Sequence, residues 1–145
     1  MIGLRKAFQV NADIVVTSSA ALVTTGLTSA IAANQTQHIK AWIPVTVGAT
    51  GGVRAQIVVP AGGTLFEATI NLVNTVAPSS TVAIQLASAA FTNALANAGS
   101  HWLEIDAYIL NGATAGNVDI QMAQNTSDAL SLTILKGGFM DVHFF

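Results

Sequence analysis

From Thr36 to Val47 the chain alternates with hardly a break. Ile39, Ala41, Ile43, Val45 and Val47 fall on one side, and His38, Lys40, Trp42, Pro44 and Thr46 on the other. A period of two belongs to a half-buried β-strand and cannot be laid on a helix, whose apolar positions recur every three to four residues. The same period returns over residues 53–59, 64–73, 101–110 and 118–123, and Gly, Asn, Ser or Pro clusters close each run. Regularly spaced alternating strands with turn signals between them specify an all-β sandwich or barrel.

The alternation assigns faces. In residues 64–73 it sends Phe66, Ala68, Ile70 and Leu72 inward and Leu65, Glu67, Thr69 and Asn71 outward. In residues 101–110 it places Leu103, Ile105, Ala107 and Ile109 on one face and Trp102, Glu104, Asp106 and Tyr108 on the other. Pro44 has no N–H to give to a ladder, so its strand is expected at an edge or distorted there. Residues 13–17 and 21–28 read as one edge strand interrupted by a turn or bulge.

Residues 81–86 form a further strand. Residues 87–99 read as a long crossing between sheets, with one helical turn plausible where Phe91 and Leu95 stand four apart. Residues 116–145 hold a strand, a polar turn, a strand, a Gly-Gly turn and a last strand, with Val118, Ile120, Met122, Leu130, Leu132 and Ile134 inward. Of Phe144 and Phe145, alternation can bury one ring. Two Gly-rich loops, at residues 48–52 and 112–116, echo each other weakly. The expected fold is an antiparallel two-sheet jelly-roll sandwich of about eight to ten strands, preferred to an up-and-down barrel because of the long crossing. Residues 1–12 have no period and are expected to be an N-terminal arm, with the jelly roll over residues 13–145.

Charged residues are 8% of the chain while hydrophobic ones are 52%, against a usual charged share of about 25%. Every apolar run is shorter than the roughly 18 residues of a membrane-spanning helix, and the opening residues lack the apolar segment of a signal peptide. A surface of small and neutral polar side chains is what burial against other subunits would leave. A stable sandwich that needs few charges is the alternative. Arg5, Lys6, Lys40, Arg54 and Lys136 are scattered, whereas phosphate-backbone binding needs several basic groups acting together. Neither nucleic acid nor membrane is therefore an expected partner. Without cysteine there is no disulfide or thiolate metal site.

Candidate chemistry is sparse. His38, His101 and His143 have no ligand spacing, so no metal site and no cofactor is expected. Glu104 and Asp106 stand two apart on one strand and face the same way, whereas a glycosidase pair flanks its substrate from two sides. Phosphate-loop, dinucleotide and nucleophile-elbow motifs are lacking. The glycosylation patterns at Asn34 and Asn125 are read as chance. No enzyme is expected. Trp42 shares a face with His38 and Lys40, and Trp102 and Tyr108 flank Glu104 and Asp106. Rings on a polar face suggest a subunit interface, and Trp42, His38, Trp102, Tyr108, Phe144 and Phe145 are its candidate residues.

The closing segment from Ile120 to Val142, with Gln124-Asn-Thr-Ser, an alternating strand and Gly137-Gly-Phe, resembles the end of a family of tailed-bacteriophage virion proteins. Thr17-Ser-Ser-Ala-Ala-Leu-Val-Thr-Thr-Gly-Leu and Ala32-Ala-Asn-Gln-Thr are similar to that family's opening. The resemblance implies a tumour necrosis factor-like jelly roll, commonly a homotrimer, without catalytic residues. It further implies a virion protein made in the host cytoplasm and carried on the capsid exterior or the tail. A chain without a stalk fits a decoration or cement protein bound to the major capsid protein. A tail, fibre or spike component that binds a receptor or carbohydrate is the runner-up.

Overall fold

A computed structural model describes residues 4–48, 51–74, 80–84, 91–93 and 98–145. The chain opens with β1 (Arg5–Gln9), β2 (Ile14–Val16), β3 (Val23–Ile31) and β4 (Thr36–Val47). It continues through β5 (Val53–Val58), β6 (Thr64–Asn74), β7 (Ser80–Ile84) and β8 (Phe91–Asn93). It closes with β9 (Gly99–Leu110), β10 (Gly116–Ala123), β11 (Leu132–Ile134) and β12 (Phe139–Phe144). Nine of these have five residues or more, and β2, β8 and β11 have three each.

One sheet runs β1-β12-β4-β9-β6-β7, with β11 pairing β4 and β2 pairing β11; the other runs β3-β10-β5-β8. All the pairings are antiparallel. Setting aside the β6–β7 hairpin and the β2–β11 ribbon leaves eight strands. Counted along the chain, they lie first-eighth-third-sixth in the large sheet and second-seventh-fourth-fifth in the small one. That interleaving is the strand order of a jelly roll, two Greek keys wrapped into a sandwich. The hairpin is an insertion between the fourth and fifth strands that widens the large sheet beyond β9.

The core follows from the alternation. Ile39, Ala41, Ile43 and Val45 of β4 and Leu103, Ile105, Ala107 and Ile109 of β9 are buried against Leu27 and Ile31 of β3, Ala55 and Ile57 of β5, and Val118, Ile120 and Met122 of β10. A large aliphatic side chain so buried contributes about 1.5–3 kcal/mol. The two Gly-rich loops join equivalent pairs, β4 to β5 and β9 to β10. Because β4 and β9 are antiparallel neighbours, the loops lie at opposite ends of the sandwich.

Several expectations need correction. Residues 13–17 and 21–28 do not share a strand: β2 lies in the large sheet and β3 in the small one. The bulge lies inside β3, where Thr28 pairs Asp119 and Thr24 pairs Gln121, so Thr25, Gly26 and Leu27 together face Ile120. Gly26 takes a φ of +79° there, a conformation glycine reaches without strain. In β6, Leu65 pairs Ile109 and Glu67 pairs Tyr108, leaving Phe66 as the extra residue of a bulge. The inward series therefore starts at Leu65, and Phe66 is exposed. Leu130, expected inward, is also exposed.

Pro44 lies in neither an edge strand nor a broken one. The pairing of β12 with β4 ends at Trp42 and that of β11 begins at Val45, so the proline nitrogen falls in the gap between two short partners. The Leu135 N–H donates to the Pro44 carbonyl at 2.9 Å. Gly138 approaches so closely that a Cβ there would stand 3.2 Å from the Pro44 ring. Within the expected arm, residues 5–9 are the strand β1, paired in register with β12. The expected crossing over residues 87–99 holds β8, which pairs β5 in the small sheet between two large-sheet strands. Phe91 is in that strand, and Leu95 lies outside the described residues.

Candidate functional site: the outer face of the large sheet

The register of β1, β12, β4, β9 and β6 stacks outward-facing side chains in rows. At one end Thr36 and Phe145 exchange backbone hydrogen bonds, and Thr36 pairs Leu110. The next row runs Arg5, His143, His38, Tyr108, Glu67, and the one after it Asp141, Lys40, Asp106, Thr69. Then come Phe139, Trp42, Glu104 and Asn71, followed by Pro44, Trp102 and Val73. A last row holds Val15, Thr133, Thr46 and Ser100.

Apolar side chains dominate both ends of this face. Of the nine strongly exposed large hydrophobic residues among the described residues, Val15, Phe66, Trp102, Tyr108, Leu110, Phe139 and Phe145 lie on it, and Leu4 and Leu130 lie elsewhere. Phe145 is 68% exposed and Phe66 63%. Trp42, half-buried, stacks on Phe139 with ring centroids 5.0 Å apart. Among the expected interface residues, Trp42, His38, Trp102, Tyr108 and Phe145 are gathered on this one face. Phe144 is not: it points into the core and is 6% exposed.

Between the apolar ends runs a band of mutually engaged polar groups. Asp106 stands at its centre, with His38 Nε2 at 2.6 Å from Oδ1 and Lys40 Nζ at 3.2 Å from Oδ2. Partial burial pushes the Asp106 carboxyl up, but hydrogen bonds from His38 and Lys40 and their charge outweigh it and hold the group below its ordinary value. The His38 ring lies parallel to Tyr108, 4.1 Å away, and His143 stands 6.2 Å off on the other side. Arg5 pairs with Asp141.

Two shallow depressions open on this band. One, of about 200 Å³, is lined chiefly by Lys40, Trp42, Thr69, Asn71, Glu104 and Asp106. The other, of about 440 Å³, shares Lys40, Thr69 and Asp106 with it and is otherwise lined by His38, Glu67 and Tyr108. Glu104 and Asp106 do share a face, as the alternation required. A carboxyl held below its ordinary value by its hydrogen-bonding neighbours is, however, the opposite of what a general acid needs. Among the described residues no group of three or more His, Asp or Glu is placed to hold a metal ion, and no helix is long and apolar enough to cross a membrane.

The outer face of the small sheet is built differently. The hydroxyls of Thr24 and Thr28 both donate to Asp119 Oδ1 at 2.7 Å, and Gln121 Nε2 donates to Oδ2 at 3.0 Å. The polar turn in the closing segment also has a structural centre. Buried Gln124 accepts from the N–H groups of Ser19 and Asp128 through Oε1, at 3.0 and 3.1 Å. Its Nε2 donates to the carbonyls of Asp128 and Leu130, at 3.0 and 2.6 Å. Two donors and two lone pairs exhaust an amide, so the Gln124-Asn-Thr-Ser segment is a staple. Because it folds residues 124–131 back on themselves, Leu130 does not continue the inward series of β11.

Sequence reasoning missed His143, Phe139, Phe66, Leu110 and Val15 on the large-sheet face. Leu110 was recoverable, since it follows Tyr108 by two residues. Phe139 and His143 reach Trp42 and His38 through strand register, which one sequence does not print.

No protein-family model matches the chain, and no curated protein matches it. A solved structure of the infectious bursal disease virus VP2 subviral particle is similar at 9% identity over 99% of this chain and 42% of that one, with a TM-score of 0.27. A structure of infectious bursal disease virus Gx strain is similar at 8% identity over 98% of this chain and 40% of that one, with a TM-score of 0.28. The chain spans less than half the length of these structures. The jelly-roll assignment rests on the strand order above.

Proposed function

We propose that this chain is a non-enzymatic structural protein of a virus particle, which assembles as a homotrimer through the outer face of its large sheet. The observation that carries the reading is the gathering of seven exposed large hydrophobic side chains on that face, because an unfinished apolar surface of this kind marks an interaction site. Apolar zones at both ends of a band of paired charges make up an interface that is adhesive and also specific in orientation. The low overall charge and the resemblance of the closing segment to tailed-bacteriophage virion proteins support the assignment to a virion. Within it, the role proposed is decoration of the capsid exterior, each trimer contacting the major capsid protein and sharing many weak contacts among three copies.

Three measurements test this. Sedimentation of the isolated chain gives a trimer mass if the reading holds and a monomer mass if it fails. Particles lacking the protein rupture at lower temperature or internal pressure than complete ones; equal robustness removes the cement role. Glycan-array binding that is lost on Trp42→Ser or Trp102→Ser would move the protein to the tail or fibre.

A further inference from the structure

The charged side chains are unevenly placed. On the outer face of the large sheet, Arg5 and Lys40 stand against Glu67, Glu104, Asp106 and Asp141, two positive against four negative, a net of −2. The other charged side chains, Lys6, Arg54 and Lys136 against Asp13, Asp119 and Asp128, cancel three to three. The formal net charge of the whole chain, −2 with neutral histidines, is therefore the charge of this one face.

Two of the three histidines sit in the middle of the same face. His38 is within 2.6 Å of Asp106 and stacked on Tyr108, with His143 across from it on β12. The groups facing this pair are Arg5 from β1, Asp141 from β12, Lys40 from β4, Glu104, Asp106 and Tyr108 from β9, and Glu67 from β6. Lys6 lies at the edge, its Nζ 5.5 Å from the Phe144 ring centre. The third histidine, His101, is buried on the inner side of β9.

We propose that association through this face is proton-linked: protonation of His38 and His143 brings the face from −2 to neutral and tightens the oligomer. The inference rests on the reading that further copies of the chain cover the face. Each copy added to such an assembly brings the same excess of carboxylates into a partly desolvated contact, where like charges repel more strongly than in water. Imidazole ordinarily gains its proton between roughly pH 8 and pH 5, and two protons match the excess. His38 is the better placed of the two to be covered while charged, because the Asp106 carboxylate is already beside it. Linkage sets the sign. An assembly that favours the protonated form takes up protons as it forms, so its association constant rises as pH falls.

The test is sedimentation velocity of the full chain from about pH 8 to about pH 5.5 at fixed low salt. The expected result is an association constant that rises toward acid, on the order of tenfold per pH unit for each proton taken up. The rise should shrink at about 0.5 M salt, where the screening length is only a few ångströms. The variant H38Q/H143Q should lose the pH dependence. The variant E67Q/E104Q, which removes two negative charges instead of adding two positive ones, should be as tight at high pH as the parent is in mild acid. An oligomer whose constant is flat with pH, or whose pH dependence survives in H38Q/H143Q, overturns the proton linkage and leaves the covered face standing. A monomer at every pH overturns both. Should H38Q/H143Q fail to fold, the absence of tightening in E67Q/E104Q is by itself enough to sink the proposal.

Discussion

The two outer faces of the sandwich handle exposure in opposite ways. On the small sheet, Asp119 is satisfied by two threonine hydroxyls and a glutamine amide from its own face, and none of the strongly exposed large hydrophobics of the described residues lies there. On the large sheet, ion pairs run between apolar zones that have no covering in a single copy. A surface whose polar groups are saturated locally is complete in water. One that displays contiguous apolar area is complete only against something else. The difference also follows an asymmetry between the two sheets, since the large sheet alone received the inserted β6–β7 hairpin and with it the exposed Phe66.

The sharpest way to break this contrast is to remove rings from the large-sheet face alone. Trp42→Ser together with Trp102→Ser should weaken self-association by about 3–4 kcal/mol, taking each ring as an interface anchor of about 2 kcal/mol or slightly less. Measured by sedimentation, an unchanged oligomer mass at dilute protein would show that the two faces do not differ in the way argued. Trp42 also stacks on Phe139, so a parallel melting curve should separate lost association from lost fold.

A smaller effect is expected where local saturation is carried into the interior. Gln124→Ala removes four hydrogen bonds and leaves the Ser19 and Asp128 N–H groups and the Leu130 carbonyl to find other partners, while the Asp128 carbonyl keeps the Ser18 N–H at 2.8 Å. Loss of about 2–3 kcal/mol in denaturant unfolding is expected. Gln124→Glu should be a poor rescue, since a carboxylate cannot donate to the two carbonyls. On the small-sheet face, Asp119→Ala should lower stability by about 1 kcal/mol and leave self-association untouched. A change in oligomer mass with Asp119→Ala would contradict the assignment of association to the other face.

These residues also mark what one sequence could and could not disclose. Alternation is a local property, so the inward series of β4, β9 and β10 was legible, and with it the side of the sheet on which Trp42, Trp102 and Tyr108 stand. Bulges break that inference because a single extra residue reverses parity: Phe66 and Leu65 exchanged roles for this reason. Sheet membership is a long-range property. Nothing in residues 13–28 says that β2 and β3 belong to different layers, a division made by pairing with β11 and β10, 85 residues or more away. The apparent misfit of Pro44 dissolves in the same way, because the gap that accommodates it is made by two separate strands from the far end of the chain.

The smallest effect separates the two aspartates that anchor the faces. Asp106 on the large sheet is held below its ordinary carboxyl value, since the bonds and charge of His38 and Lys40 outweigh the opposing effect of partial burial. A carboxyl whose folded value is depressed stabilises the fold above its unfolded value, near pH 4, and that stabilisation disappears as pH falls through the folded value. The parent should therefore lose stability between about pH 5 and pH 3 more steeply than Asp106→Asn, as read from urea midpoints. The side chain is 47% exposed, so solvent and salt screen the pair and the difference should stay under about 1 kcal/mol. It should shrink further when the ionic strength is raised. Superimposable pH profiles of parent and Asp106→Asn would mean that the charged band adds nothing to the stability of a single copy. Its ion pairs would then matter only for how neighbouring copies meet.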